Sequence, residues 1–168
     1  ALPFDLFETR RLVGAFVGII GLIATWRIGR HLCGPVAGLI ALILLATCPL
    51  YYGHMFINAK DAPFAAAMAV LLLGMVRAFE EYPRPNARTV ALTGVGLGLV
   101  FGSRILAGII APYALVALLL IAGGEARDAG WRQSMARVGE FIWRIVPALA
   151  LGYLIMGLLW PWSILAPL

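Results

Sequence analysis

Between Leu12 and Trp160 the sequence returns again and again to apolar runs of the length that crosses a lipid bilayer. A hydrocarbon core of about 30 Å takes about 20 apolar residues as a helix. In lipid the backbone must satisfy its own polar groups, so such runs are read as helices. Six runs stand out, at 12–29, 35–52, 62–79, 89–102, 105–122 and 141–160. The composition excludes the soluble alternative: 62% of the residues are apolar and 12% charged, against roughly 45–50% and 25% in soluble domains. Too little polar surface exists to cover a water-facing globule, and a chain this apolar is not disordered. The expectation is an all-α polytopic membrane protein with about six transmembrane helices, residues 1–168 forming part of one transmembrane domain. The chain starts at Ala1 and enters its first apolar run without a basic leader or a small-residue cleavage site, which reads as an internal fragment.

Orientation follows from where the cations sit. The first two runs are joined by a tight connection from Arg30 to Gly34, and Pro83 and Pro85 in the polar segment 80–88 end the third. The stretch from Thr89 to Ala122 would be a helix of about 51 Å if continuous, and Ser103-Arg104 interrupts it. Turning the chain at Arg104 collects Arg27, Arg30, Arg77, Arg84, Arg88, Arg127, Arg132, Arg137 and Arg144 on one face and leaves Arg10, Arg11, Lys60 and Arg104 on the other. A single span would strand Arg104 in lipid and reverse the bias, against both the positive-inside rule and the cost of a buried charge. The hairpin is therefore expected, with a short fourth span. The surplus of five positive charges is orientation information rather than a nucleic-acid footprint, and no nucleic-acid partner is expected.

Between the last two spans, Trp131, Met135, Val138 and Ile142 recur near helical spacing with arginines between them. This reads as an interfacial amphipathic helix at about 125–139. Gly94, Gly98 and Gly102, like Gly14 and Gly18, are small residues at helical spacing that let helices approach closely in lipid. They do not match a dinucleotide fingerprint, which needs G-x-G-x-x-G after a strand. Trp26, Trp131, Trp160 and Trp162 lie near span ends, where aromatic belts form. Cys33 and Cys48, fifteen positions apart, are too distant along a helix to form a disulfide.

Chemically capable residues concentrate on the face with fewer arginines. His54 is the one histidine there, and a metal site needs more nitrogen, sulfur or carboxylate ligands than it supplies; no metal residue is assigned. The informative segment is Asn58-Ala59-Lys60-Asp61-Ala62-Pro63. A carboxylate opening a helix serves as an N-cap and complements the helix dipole. The same carboxylate beside Lys60 can handle a hydroxyl or a divalent cation while Lys60 and Arg104 meet a phosphate. Arg104 is equally a residue that snorkels from lipid to water. Two rival classes share these residues: a transporter or channel segment, which would place ionisable residues near the midplane, and a noncatalytic membrane scaffold.

The order of several motifs resembles a known family. Glu8-Thr9-Arg10-Arg11-Leu12, Gly29-Arg30, Gly34-Pro35-x-x-Gly38, Ala46-Thr47-Cys48-Pro49-Leu50-Tyr51-Tyr52-Gly53-His54 and Asn58-Ala59-Lys60-Asp61-Ala62-Pro63-Phe64 are similar to bacterial glycosyltransferase family 39. These are GT-C enzymes related to protein O-mannosyltransferases and to lipid A aminoarabinose transferases. Gly98-x-x-x-Gly102-Ser103-Arg104 and Trp160-Pro161-Trp162 extend the resemblance over nearly the whole chain. It implies a GT-C-type transmembrane domain, lodged multi-pass in the inner (cell) membrane, with its active face outside the cytoplasm. It implies inverting transfer of a hexosyl or pentosyl unit from a polyprenyl-phosphate sugar to a hydroxyl of a lipid, glycan or protein acceptor. No soluble nucleotide sugar is used; no cofactor is assigned, and a divalent cation that Asp61 could help bind is left open. By the same resemblance Asp61 is the acid that opens a later external loop; Lys60 and Arg104 are expected on the substrate side because a leaving lipid phosphate needs cations, with Asn58 and His54 as further substrate-side candidates. The family's first-loop acid would precede Ala1, so the fragment alone is expected to be inactive. Ala59 stands where the family pattern has proline.

Overall fold

The computed structural model describes residues 5–58, 60–104 and 108–160. Six helices make it up, and no strand occurs among the described residues. Four of the helices are long and apolar enough to cross a membrane: α1 (Leu6–Ala46), α3 (Asp61–Glu80), α5 (Ile110–Ala129) and α6 (Trp131–Leu159). The shorter α2 (Pro49–Ile57) and α4 (Ala87–Ser103) complete the set. The protein is an all-α polytopic membrane protein. Its chain divides into two compact units, Ala1–Leu73 and Gly74–Leu168.

In the first unit, Asp5 and Glu8 start α1 with a reciprocal cap. The Asp5 carboxylate accepts from the Leu6 N–H at 2.7 Å, and Glu8 accepts from the Asp5 N–H at 3.3 Å. The helix is broken at Gly34, whose φ of 87° and ψ of −177° belong to a region open essentially to glycine alone. Pro35 then opens the second limb, where its missing N–H costs nothing. The limbs double back: a Cβ on Gly29 would lie 2.8 Å from Gly38 Cα, and one on Gly38 would lie 2.7 Å from the Trp26 carbonyl oxygen. The tight connection expected at residues 30–34 is thus a one-residue turn at Gly34.

The run expected at 35–52 is not one continuous helix. Its first part ends at Ala46, and the chain restarts as α2 at Pro49. Pro49 lacks an N–H and drives Cys48 to extended geometry (φ −68°, ψ 112°). α2 nevertheless continues back along the first limb of α1. The Tyr51 hydroxyl donates to the Gly18 carbonyl at 2.8 Å, and Met55 fills the space that Cβ atoms at Gly14 and Gly18 would occupy. In the same unit Gly21 lets Ala66 of α3 approach. Ala62, Ala66, Ala67 and Val70 are the buried residues of that helix's first half.

In the second unit the glycines of α4 meet α6. Gly94 faces Ala148 and Leu151, Gly98 faces Gly152 and Ile155, and Gly102 faces Leu159. Partner numbers rise with the glycine numbers, so the two helices run parallel, and the chain between them must return. α4 stops at Ser103, and the continuous 34-residue helix does not form. Residues 105–107, where the fifth run was expected to begin, lie outside the described residues, as do Pro161 and Trp162.

Residues 125–139 do not form a separate surface helix. Gly130, at φ 88° and ψ 152°, ends α5 and starts α6, because a positive φ cannot continue a right-handed helix. The first half of the expected segment is the end of α5, and the second half is the beginning of α6. At this end Ser134 Oγ donates to the Ala122 carbonyl at 2.9 Å, and Arg137 pairs with Glu125 at 2.6 Å. Glu81 accepts from the Asn86 N–H, the Asn86 amide and the Thr89 hydroxyl at 2.7–2.8 Å. It thereby closes the 81–86 connection that Pro83 and Pro85 keep from being helical.

Candidate functional site

The last turn of α2, the connection that follows it and the first residue of α3 hold four of the five residues singled out from the sequence, all in the first unit. This segment is organised around the Asn58 carboxamide. Asn58 Oδ1 accepts from the N–H groups of Lys60 and Asp61, both at 3.0 Å. That fixes which end of the amide is oxygen, so Nδ2 is the end that donates to Asp61 Oδ2 at 2.7 Å. Nδ2 also lies 3.3 Å from His54 Nδ1. An amide nitrogen can only donate, so Nδ1 of His54 accepts and Nε2 carries the ring proton. The backbone N–H of Asn58 in turn donates to the His54 carbonyl at 2.8 Å.

Asn58 therefore spends its side-chain donors and acceptors inside the loop, and its role is to position. The carboxylate of Asp61 is the group it positions. Asp61 is the first residue of α3 rather than the residue before it, so the acceptor capping its N–H is Asn58 and not Asp61 itself. The carboxylate still stands at the positive end of the helix dipole. Lys60 is exposed and, among the described residues, makes no ion pair with Asp61. Its ammonium is a cation offered to solvent or to an anion. Ala59 lies outside the described residues.

Arg104 belongs to the second unit. It forms the C-cap of α4 in extended geometry (φ −155°, ψ 138°), its N–H donating to the Val100 carbonyl at 3.0 Å, and the residue is exposed. Among the described residues no group of three or more His, Cys, Asp and Glu could hold a metal ion.

Beside the Asn58 loop a cavity of about 480 Å³ opens between the first limb of α1 and the end of α2. Its wall is apolar except for Thr9, Arg10 and Asn58. The sequence reading placed Arg10 on this face only as one charge among several. A sharper signal was present: Arg10, Val13, Gly14 and Val17 sit at i, i+3, i+4 and i+7, one helical face, and Gly14 marks that face as the one α2 approaches.

Comparison with known proteins adds the decisive observation. Residues 5–148, which include the Asn58 loop, match the model of the dolichyl-phosphate-mannose-protein mannosyltransferase family. The chain belongs to this family. No curated protein and no solved structure matches it. Membership makes the protein a membrane glycosyltransferase of the GT-C type, in a family whose sugar donor is lipid-linked. The glycosyltransferase resemblance drawn from the motifs is thereby borne out.

Proposed function

We propose that the full-length protein transfers a sugar from a polyprenyl-phosphate donor to an acceptor hydroxyl on the non-cytoplasmic face of the cell membrane, with inversion at the anomeric carbon. One observation supports this most directly: in a chain of this family, the Asn58 carboxamide holds the Asp61 carboxylate at 2.7 Å at the mouth of α3. The neighbouring Lys60 leaves its cation to an incoming anion.

In the proposed reaction the bond between the anomeric carbon and the phosphate oxygen breaks, and its electron pair leaves with the polyprenyl phosphate. The acceptor oxygen forms the new bond to that carbon and gives its proton to the first-loop carboxylate that the family resemblance implies. Charge builds on the departing phosphate, where cations stabilise the transition state more than the ground state. Lys60 serves as a point charge, and Arg104, which the second unit carries, is proposed from the sequence alone as a further cation whose planar fork can grip two phosphate oxygens. Asp61 aligns the acceptor hydroxyl, while Asn58 and His54 keep its carboxylate in place.

The test supplies membranes containing the full-length protein with polyprenyl phosphate carrying a radiolabelled hexose or pentose. Label moving to lipid, glycan or protein acceptors, with polyprenyl phosphate released, is the expected outcome. No transfer from any such donor, or transfer from a nucleotide sugar instead, refutes the proposal. Replacing Arg104 by Gln should lower transfer about a hundredfold if it meets the developing phosphate charge, and replacing it by Lys should lower transfer less.

A further inference from the structure

We infer that the cavity between α1 and α2 is the seat of the first isoprene units of the donor lipid, and that Arg10 binds the donor's phosphate at its mouth. This inference rests on the glycosyl-transfer reading and extends it to residues that reading does not use.

The cavity's volume of about 480 Å³ lies within the range of small-molecule sites. Leu6, Phe7, Val13 and Val17 of α1 and Met55 and Ile57 of α2 supply its apolar wall. The pairing of Gly14 with Met55, together with the antiparallel course of α2 along α1, sets Arg10 level with Asn58. Both line the cavity. From Arg10 to Val17 the wall is about 10 Å long at 1.5 Å per residue, which suits a few isoprene units, with the remainder of the chain lying in the bilayer.

Arg10 is exposed, and no carboxylate pairs with it among the described residues. The nearest acids in sequence, Asp5 and Glu8, are engaged in the cap of α1. Side chains on a helix lean toward its N-terminus, so the guanidinium is directed to the end of the cavity where Asn58 and the Asp61 loop lie. An unpaired cation at the mouth of an apolar slot, sharing Asn58 with the candidate site, is complementary to an ester of phosphate with an isoprenoid alcohol. The slot is continuous with the site through that one residue, and this is why the donor lipid, rather than a bulk phospholipid, is the occupant.

The experiment measures KM and kcat of the full-length protein in proteoliposomes with donors carrying one, two, three and many isoprene units. KM is expected to fall as the chain grows from one unit to three and then to level off. Val13→Trp and Ile57→Trp, on two walls of the slot and both at exposed positions, should abolish that improvement, raising KM for the longer donors about tenfold with kcat unchanged. Arg10→Gln should raise KM for donors of every length about tenfold or more, and Arg10→Lys should recover part of the loss.

A photoreactive polyprenyl phosphate without sugar gives a reading independent of turnover, with adducts expected within residues 6–17 and 55–58. If the wild type transfers no sugar from any donor, the glycosyl-transfer reading fails. If it transfers normally while the wall and Arg10 variants keep wild-type KM values, the assignment of this cavity is wrong. Adducts elsewhere, or equal labelling by a photoreactive phospholipid, likewise overturn it.

Discussion

Changing Asn58 to Asp exchanges one nitrogen for one oxygen and tests whether the loop works as described. The acceptor oxygen that holds the N–H groups of Lys60 and Asp61 is retained, and Asp caps a helix about as well as Asn. The fold and the start of α3 should therefore survive. The other oxygen, however, replaces the donor that lies 2.7 Å from Asp61 Oδ2, so a hydrogen bond to a charged group worth about 1.5–3 kcal/mol becomes a repulsion. Two like charges relaxed to about 4 Å repel by about 1 kcal/mol in water and about 4 kcal/mol at an effective dielectric of about 20. This loop is half-exposed and falls between those limits. The Asp61 carboxylate should swing away from its place, and transfer at about pH 8 should drop by about tenfold or more. Acidification should reverse the loss, because one proton shared between the two carboxylates restores a donor where Nδ2 stood. The assay is sugar transfer from about pH 5 to pH 8, alongside thermal stability at neutral pH. Asn58→Ala lacks the cap as well, so it should be slow at every pH and lose about 0.5–2 kcal/mol of stability. An Asn58→Asp protein that transfers at the wild-type rate across the whole range refutes the positioning role.

Three further outcomes are expected. A single cysteine at Ser103 or Asn58 should react with an impermeant maleimide in intact cells, while one at Glu81 or Gly124 should react only once the membrane is opened; protection of the Ser103 probe together with external labelling at Gly124 contradicts the turn at Arg104. Gly98→Ala should cost about 1–3 kcal/mol in thermal unfolding, because the added carbon would stand 2.5 Å from Ile155 Cβ and 2.8 Å from the Gly152 carbonyl. Gly124→Ala, with nothing within 4 Å, should be neutral or stabilising by about 0.4–1 kcal/mol, and equal behaviour of the two variants refutes the close α4–α6 contact. Tyr82 is held neutral by burial and by its hydrogen bond to Glu125, which push its phenol up from 10.0 to about 12. A raised folded value stabilises the protein fully below about pH 10 and is lost as the pH rises toward 12, so Tyr82→Phe should be less stable than wild type at pH 8 and should lose that deficit in strong alkali.

Much of the helical architecture was legible because lipid leaves the backbone few choices, and the apolar runs at 62–79 and 89–102 are close to the observed α3 and α4. The small-residue spacing of Gly94, Gly98 and Gly102 correctly marked a packing face, since close helix contact in a membrane needs residues without bulk. Two features escaped for local reasons. Pro49 cuts the second run, yet α2 resumes along α1, so the hydropathy of the run is unbroken although its hydrogen-bond ladder is not. Gly130 divides the basic amphipathic stretch, and the period of Trp131, Met135, Val138 and Ile142 belongs to the outer face of the long α6 rather than to a surface helix. At the site, composition identified the charged pair Lys60-Asp61. It did not show that Asn58 is the hub, because an asparagine's partners depend on backbone geometry that no spacing rule encodes. Arg10 was passed over because its significance comes from a cavity, which is a property of two packed helices rather than of either sequence.

Asp61 is proposed to act as a charged group in sugar transfer, and Asp61→Asn in the full-length protein tests this most directly. An asparagine at this position can keep a carbonyl oxygen toward Asn58 Nδ2 while losing the negative charge. Transfer of radiolabelled sugar from polyprenyl phosphate should fall by about a hundredfold or more, while expression, membrane insertion and thermal stability stay near wild type. Full transfer activity in the Asp61→Asn protein would contradict the account and leave Asp61 as a residue of the α3 start alone.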